Sequence, residues 1–168
     1  MAVDMFLNLG DNIKGESQDK VQGPLGDVDI LAWGWGLQNS GSFHGGGGGG
    51  SGKASAQDLS FTKYLDTAST GLMIALTKGS HIPVCTLLVR KAGEGQKPYL
   101  KITMSKVLVT SISTGGSGGE DRLTENVSLH FAEVKVEYFI QDQKGDTKNK
   151  GELTWNIAGN DANGKAAA

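Results

Sequence analysis

The stretch that decides the fold covers residues 113–139 and reads STGGSGGEDRLTENVSLHFAEVKVEYF. After a glycine-serine segment and a charged cluster, it becomes the longest alternating apolar run in the sequence. Every second residue over 127–131 is apolar, which predicts a strand with one buried face. From Val134 onward the apolar residues change parity. An extra residue would restore their facing, so we predict a β-bulge near Ala132 and Glu133 in a long strand of a curled sheet or barrel.

Length and composition limit the class of protein. The chain has 168 residues, which suits a single domain with a sizeable core. Its formal net charge is −2, so we expect no nucleic-acid partner. The single cysteine, Cys85, has apolar neighbours, which indicates a buried residue rather than a reactive thiol.

The first ten residues, MAVDMFLNLG, have no basic region, long apolar run or small-residue cleavage site. No run reaches the roughly 20 apolar residues of a membrane span, so we expect no membrane insertion. We therefore expect assembly in the cytoplasm and, if the protein leaves the cell, secretion without a cleaved signal peptide.

Short apolar segments separated by turn residues predict a mainly β fold, a single β-barrel of about eight strands with one flanking α-helix. The helix is expected at about residues 67–78. Asp66, Thr67 or Ser69 can cap its start, and Gly79 suits the position just past its end.

The barrel domain is expected to cover residues 1–158. A polar turn over 142–151 leads to a predicted last strand at 152–157. The tail, residues 159–168, is small and polar, so we expect it to be flexible.

Residues 28–38, VDILAWGWGLQ, are predicted to form one strand. Its large apolar side chains alternate with Ala32, Gly34 and Gly36. Glycine is disfavoured inside strands, so this small face indicates either the close approach of another surface or a bend in the sheet.

Residues 39–53 form a glycine-rich loop that is too long for a tight hairpin turn, and such loops are usually functional or disordered. GGGGSGK at 47–53 fits the spacing of a phosphate-binding loop. Ala54 replaces the serine or threonine that would bind magnesium, and a strand pattern follows instead of a helix. We therefore reject a nucleotide site.

The titratable residues give no positive sign of an enzyme. His44, His81 and His130 lie in different segments without metal-ligand spacing, and His130 is expected to be exposed on a polar strand face. Glu120, Asp121 and Glu125 surround Arg122 in a glycine-rich stretch, which favours a solvated loop or a subunit salt bridge over a catalytic pair. We expect no catalytic residue, metal or cofactor.

Six blocks in one order resemble the haemolysin-coregulated protein (Hcp) family, the tail-tube subunits of bacterial type VI secretion systems. They span nearly the whole chain and read MAVDMFLNL, VDILAWGWG, GSFHGGGGGGSGK, QDLSFTKYLD, STGLMIAL and STGGSGGEDRLTENVSLHFAEVKVEY.

This resemblance implies a phage tail-tube-like fold and a structural, secreted protein. Subunits of the family form homohexameric rings that stack into a tube inside a contractile sheath, tipped by a VgrG-type spike protein. Contraction expels the tube with secreted effectors, and some members hold small effectors in the ring lumen.

The resemblance also gives the unusual segments candidate roles. The glycine-rich loop is expected to make ring or subunit contacts through Ser42, Phe43, His44, Gly45, Gly46, Gly47, Gly48 and Lys53. Glu120, Asp121 and Arg122 are candidates for a subunit contact. The lumen or interface candidates are Ala32, Gly34 and Gly36.

Two other classes of function stay open on the sequence. One is a monomeric ligand-binding β-barrel, and the other is a small metal-dependent enzyme on a cupin-like barrel. Rings seen by electron microscopy would favour the tube subunit, whereas a monomer or a stoichiometric metal would favour the alternatives.

Overall fold

A computed structural model describes residues 3–41, 52–91 and 95–166. These residues form eleven strands and one helix. The elements are, in chain order, β1 Val3–Asn8, β2 Val28–Asp29, β3 Ala32–Gly34, β4 Leu37–Asn39, β5 Ala54–Ala56, β6 Leu59–Tyr64, α1 Thr67–Lys78, β7 Ile82–Lys91, β8 Pro98–Gly115, β9 Thr124–Gln141, β10 Thr147–Asn156 and β11 Asp161–Lys165.

Strand β9 is the centre of the sheet. It pairs with β8 along one side, and its other side pairs first with β6 and then with β10. The main sheet runs β11-β10-β9-β8-β7-β1-β2, and β3 joins it through β6. The described ladder is not closed by hydrogen bonds, but it curls around one core. The predicted mainly β, barrel-like fold with one flanking helix is confirmed.

The core fills the inside of this curled sheet. Its most deeply buried side chains come from several strands and the helix, with exposures of 0% for Leu7, Leu59, Leu72, Leu87 and Leu129. Cys85 is also fully buried, as predicted, and its desolvation raises the pKa of the thiol to about 12.

Helix α1 begins and ends where its capping residues predict. Asp66 accepts a hydrogen bond from the Ala68 backbone N–H, and Ser69 accepts one from the Asp66 backbone N–H. This reciprocal capping box satisfies donors that the first turn cannot satisfy. Gly79 ends the helix in the left-handed conformation at φ 63°.

The parity change in β9 is present, but the predicted bulge is wrong. Up to Phe131 the buried residues of β9 are odd-numbered, and at Val134 the buried residue is even-numbered. The pairing with β8 nevertheless keeps the same register on both sides of this point. The buried residues of the neighbouring strands make the same switch at paired positions of the sheet. In β8 it falls between Val107 and Met104, and in β7 between Ile82 and Cys85. The three strands therefore exchange their inward faces together, and no extra residue is needed.

Strand β8 contains two local irregularities. Lys106, where the parity changes, has a positive φ of 55°. The register shift against β9 falls instead between Val109 and Ser111, so Thr110 is the extra residue.

Three other expectations differ from the structure. Residues 28–38 form three short strands rather than one, and Leu31 and Leu37 are exposed. The expected turn over 142–151 is shorter, because β10 already begins at Thr147. Residues 161–165, expected to fray, pair with β10 as β11. In the described parts of the chain, no helix has the length and apolar character needed to span a membrane.

Candidate functional site

A cluster of buried charges joins the end of β6, the start of α1 and the start of β9. Lys63 Nζ lies 2.5 Å from Glu125 Oε1 and 2.7 Å from Asp66 Oδ1, and it donates to Ser69 Oγ at 3.0 Å. Ser69 also donates to Glu125 Oε1 at 2.6 Å. The side chains of Lys63 and Glu125 are 0% exposed. The expectation that Glu125 lies in a solvated loop is therefore wrong.

This cluster holds the segment that contains the subunit-contact candidates. The Leu65 N–H donates to the Leu123 carbonyl at 2.9 Å, directly beside the buried ions. The Arg122 guanidinium stacks 3.9 Å above the Tyr64 ring, a cation–π contact within the chain.

Glu120, Asp121 and Arg122 are all exposed at this corner. Leu65 and Leu123 are also exposed, at 39% and 45%. The structure thus places apolar surface next to acidic side chains, on a corner that buried ion pairs hold in place. We call Leu65, Leu123 and residues 120–122 the corner patch.

Two of the three lumen or interface candidates lie on a second surface. Paired residues share a face of a sheet, and Ala32 pairs with Thr62 while Gly34 pairs with Ser60. Across the sheet, these pairs continue to Asn126 and Ser128 on β9 and from there to Ser113 and Ser111 on β8. This surface contains only small uncharged side chains, and we call it the neutral face: Ala32, Gly34, Ser60, Thr62, Ser111, Ser113, Asn126 and Ser128.

Gly36 lies apart from the neutral face. A Cβ at this position would approach the Gln57 side chain to 2.8 Å, and Gln57 N–H donates to the Gly36 carbonyl at 2.9 Å. The Trp35 indole N–H donates to the Gln57 carbonyl at 2.9 Å. The small residues of this segment were explained either by the close approach of another surface or by a bend in the sheet. At Gly36 the first explanation applies, because Gln57 lies against it.

The two strands that flank the glycine-rich loop in the sequence form a two-stranded ribbon. Strands β4 and β5 pair with each other, with Asn39 opposite Ala54. Lys53 is exposed just before β5. The other contact candidates, Ser42, Phe43, His44, Gly45, Gly46, Gly47 and Gly48, lie outside the described residues.

A long connection, residues 9–27, is tied to the sheet by Arg90, which is only 3% exposed. The guanidinium pairs with Asp19 and stacks 4.7 Å above the Phe6 ring. The hydrogen bond from Arg90 lowers the pKa of Asp19 to about 2. Asp27 lies in the same connection, and burial raises its pKa.

The sequence did not reveal a polar cluster at one end of the neutral face. His130 is exposed, as predicted, but its Nδ1 lies 2.8 Å from Asp58 Oδ1, and Thr110 donates to Asp58 Oδ2 at 2.7 Å. The segments holding Asp58 and His130 are 72 residues apart, so spacing gave no signal. Among the described residues, no group of three or more possible metal ligands comes together.

The sequence and the fold agree on one family. The model of a family described as "Type VI secretion system effector, Hcp" matches residues 6–138. The chain is 56% identical to Protein hcp1 of Pseudomonas aeruginosa over 164 residues, which covers 95% of this chain and 98% of that protein.

Two solved structures show the same fold over nearly the full chain. Hcp1 from Salmonella typhimurium is 34% identical, with a TM-score of 0.78 over 97% of this chain and 100% of that one. A structure described as a type six secretion system protein is 29% identical, with a TM-score of 0.88 over 96% of this chain and 100% of the other. The chain therefore belongs to the Hcp family of type VI secretion system proteins.

Proposed function

We propose that the protein is the structural subunit of the inner tube of a type VI secretion system, forming homohexameric rings that stack. The observation that carries this proposal is the corner patch. It exposes Leu65 and Leu123 beside acidic side chains, while the fully buried pair of Lys63 and Glu125 fixes its backbone. A rigid, mixed apolar and charged surface suits a repeated contact between copies of one chain.

The proposal requires a ring, and one variant pair tests whether the corner patch forms it. We expect native mass spectrometry and electron microscopy of the wild type to show hexameric rings. Leu65→Asp adds a charge to the corner patch and should shift the protein to monomers. Leu25→Asp adds the same charge at a leucine that is 53% exposed elsewhere, and it should leave the rings intact. A monomeric wild type would refute the tube function, and rings in both variants would remove the corner patch from it.

We further propose that the glycine-rich loop joins neighbouring rings. The paired strands β4 and β5 flank the loop in the sequence, and Phe43 and His44 are its only large side chains before Lys53. Replacing Phe43 and His44 with glycine should shorten tubes while single rings persist. Tubes of unchanged length would contradict this contact.

The neutral face is our candidate for the lining of the lumen. Small uncharged side chains suit a channel that must not bind passing proteins tightly, since strong charge would trap them. A cysteine placed at Gly34 should react with a small maleimide in a single ring and be protected from a bulky one. Equal reactivity toward both reagents would exclude the lumen position.

The partners follow from this role. We propose that the tube is assembled in the cytoplasm within a contractile sheath, carries a VgrG-type spike and leaves the cell with secreted effectors. The protein would carry small effectors noncovalently in the lumen and have no catalytic activity of its own.

The packed interior argues against the alternative of a monomeric ligand-binding barrel. Leu7, Leu59, Leu87 and Leu129 occupy the space where a barrel ligand would lie, each at 0% exposure. A barrel that enclosed a ligand would need a cavity there.

A further inference from the structure

Asp58 links three strands at the end of the neutral face. Its Oδ1 lies 2.8 Å from Nδ1 of His130 on β9, and its Oδ2 accepts from the Thr110 hydroxyl on β8 at 2.7 Å. Thr110 is the bulged residue of β8, and its hydroxyl also donates to the Ser128 carbonyl at 3.2 Å. The bulge thus turns Thr110 toward the carboxylate, and both Asp58 oxygens are held in place.

The contact with Asp58 sets the tautomer of His130. An ionised carboxylate only accepts hydrogen bonds, so Nδ1 must carry the proton. In the neutral ring, Nε2 then has a free lone pair, and the side chain is 61% exposed. The arrangement therefore presents an oriented acceptor nitrogen beside a carboxylate whose oxygens each retain a further lone pair.

Among the described residues, Asp58 is the ionised group in contact with His130 at this end of the neutral face. On β6, Lys63 turns inward to the buried cluster, as does Glu125 on β9. The next charged residues along β8 and β9 are Lys106 and Glu133, which neutralise each other at 3.3 Å. At the opposite end, Arg122 stacks on the Tyr64 ring, two residues along β6 from Thr62. One negative charge and one imidazole acceptor therefore distinguish the Asp58 end of the neutral face.

We propose that Asp58 and His130 form a recognition site for a cationic side chain, arginine or lysine, on a protein carried by the ring. This inference rests on the proposed function, because the site lies on the surface assigned to the lumen. Arginine and lysine offer only donors, which match a carboxylate and a bare Nε2. A ring repeats the site in every subunit, so weak individual contacts add up.

The test uses the full chain and a labelled arginine-containing peptide, with a matched peptide in which glutamine replaces arginine. Fluorescence anisotropy at low salt should give a dissociation constant at least tenfold lower for the arginine peptide than for the glutamine peptide. Asp58→Asn should abolish the difference between the peptides. His130→Asn should weaken binding of the arginine peptide.

Glu133→Gln is the matched control, because it removes the same charge from β9, the strand that carries His130, at a position paired with Lys106. It should bind like the wild type. If Asp58→Asn binds the arginine peptide as tightly as the wild type, or if the two peptides bind alike, the cluster only fastens strands and the inference is wrong. Native mass spectrometry of the same samples reports ring formation separately. Absent rings would refute the tube function, while the peptide comparison would still decide this site, which is exposed on a single chain.

Discussion

Lys63 pairs with two carboxylates, Asp66 at the start of α1 and Glu125 on β9, and replacing it with methionine tests how strongly this cluster stabilises the fold. Methionine keeps most of the apolar stem and removes only the ammonium group. Lys63 Nζ makes four contacts, to Glu125, Asp66, Ser69 and the Tyr64 carbonyl, between 2.5 and 3.0 Å. An ammonium group has three protons, so its donor capacity is fully used.

The expected loss is large because, among the described residues, Lys63 is the one cation that pairs with Glu125. Its side chain is 0% exposed, and Oε2 has no hydrogen bond within the described structure. Removing one member of a buried ion pair costs about 3–5 kcal/mol. Total stabilities are about 5–15 kcal/mol, so Lys63→Met should lose a substantial fraction of the free energy of unfolding. For a chain of this length, such a loss lowers the melting temperature by roughly 10 °C.

Urea unfolding measures this loss when all variants are compared at one fixed protein concentration. The double variant Lys63→Met, Glu125→Leu removes both buried charges and should recover at least half of the lost stability. Lys135→Met is the matched control, since Lys135 pairs with Glu137 and Glu152 on an exposed sheet surface and should lose far less. If Lys63→Met unfolds no more easily than Lys135→Met, or if the double variant is weaker than the single one, the buried pair does not stabilise this corner as argued.

Three further outcomes follow from individual residues. Lys106→Gly should stabilise the protein by about 1 kcal/mol in thermal unfolding, because glycine adopts the positive φ of 55° without strain, whereas Lys106→Ala should show no gain. The pKa of Asp19 lies near 2, below its ordinary value of 3.8, so its contribution is present above pH 3.8 and is lost as the pH falls toward 2. Unfolding free energy should therefore decrease over that range, and Asp19→Asn should flatten the decrease. Cys85 should resist iodoacetamide in the folded protein and react only after unfolding, as followed by mass spectrometry, because burial raises its pKa to about 12; rapid labelling at neutral pH would contradict this.

The features that the sequence predicted are those encoded by neighbouring residues. The helix was placed correctly because Asp66, Ser69 and Gly79 each act within one turn of its ends. The long β9 strand was recognised because its burial alternates in the same pattern as its apolar residues. The switch in which residues of β9 are buried was also predicted correctly. Its predicted cause, a bulge in β9, was wrong, because β7 and β8 make the same switch.

The features that the sequence missed depend on residues far apart in the chain. Strand β11, DANGK, has no apolar alternation and is a strand because it pairs with β10. Glu125 looked solvated among charged neighbours, yet its partner, Lys63, is on another strand. The contact between Asp58 and His130 also depends on strand pairing, since Leu59 lies opposite Leu129. Such contacts become visible only when the register is known.

The shared exchange of faces in β7, β8 and β9 restricts how the length of this protein can change during evolution. Insertion of one residue in any one of these strands would turn its remaining side chains to the wrong side unless a bulge absorbed it, as Thr110 does in β8. Without such a bulge, only matched insertions in all three strands would preserve the pairing of Cys85 with Met104 and of Met104 with Val134. Related chains should therefore keep these three strand lengths fixed and vary in length at the connections.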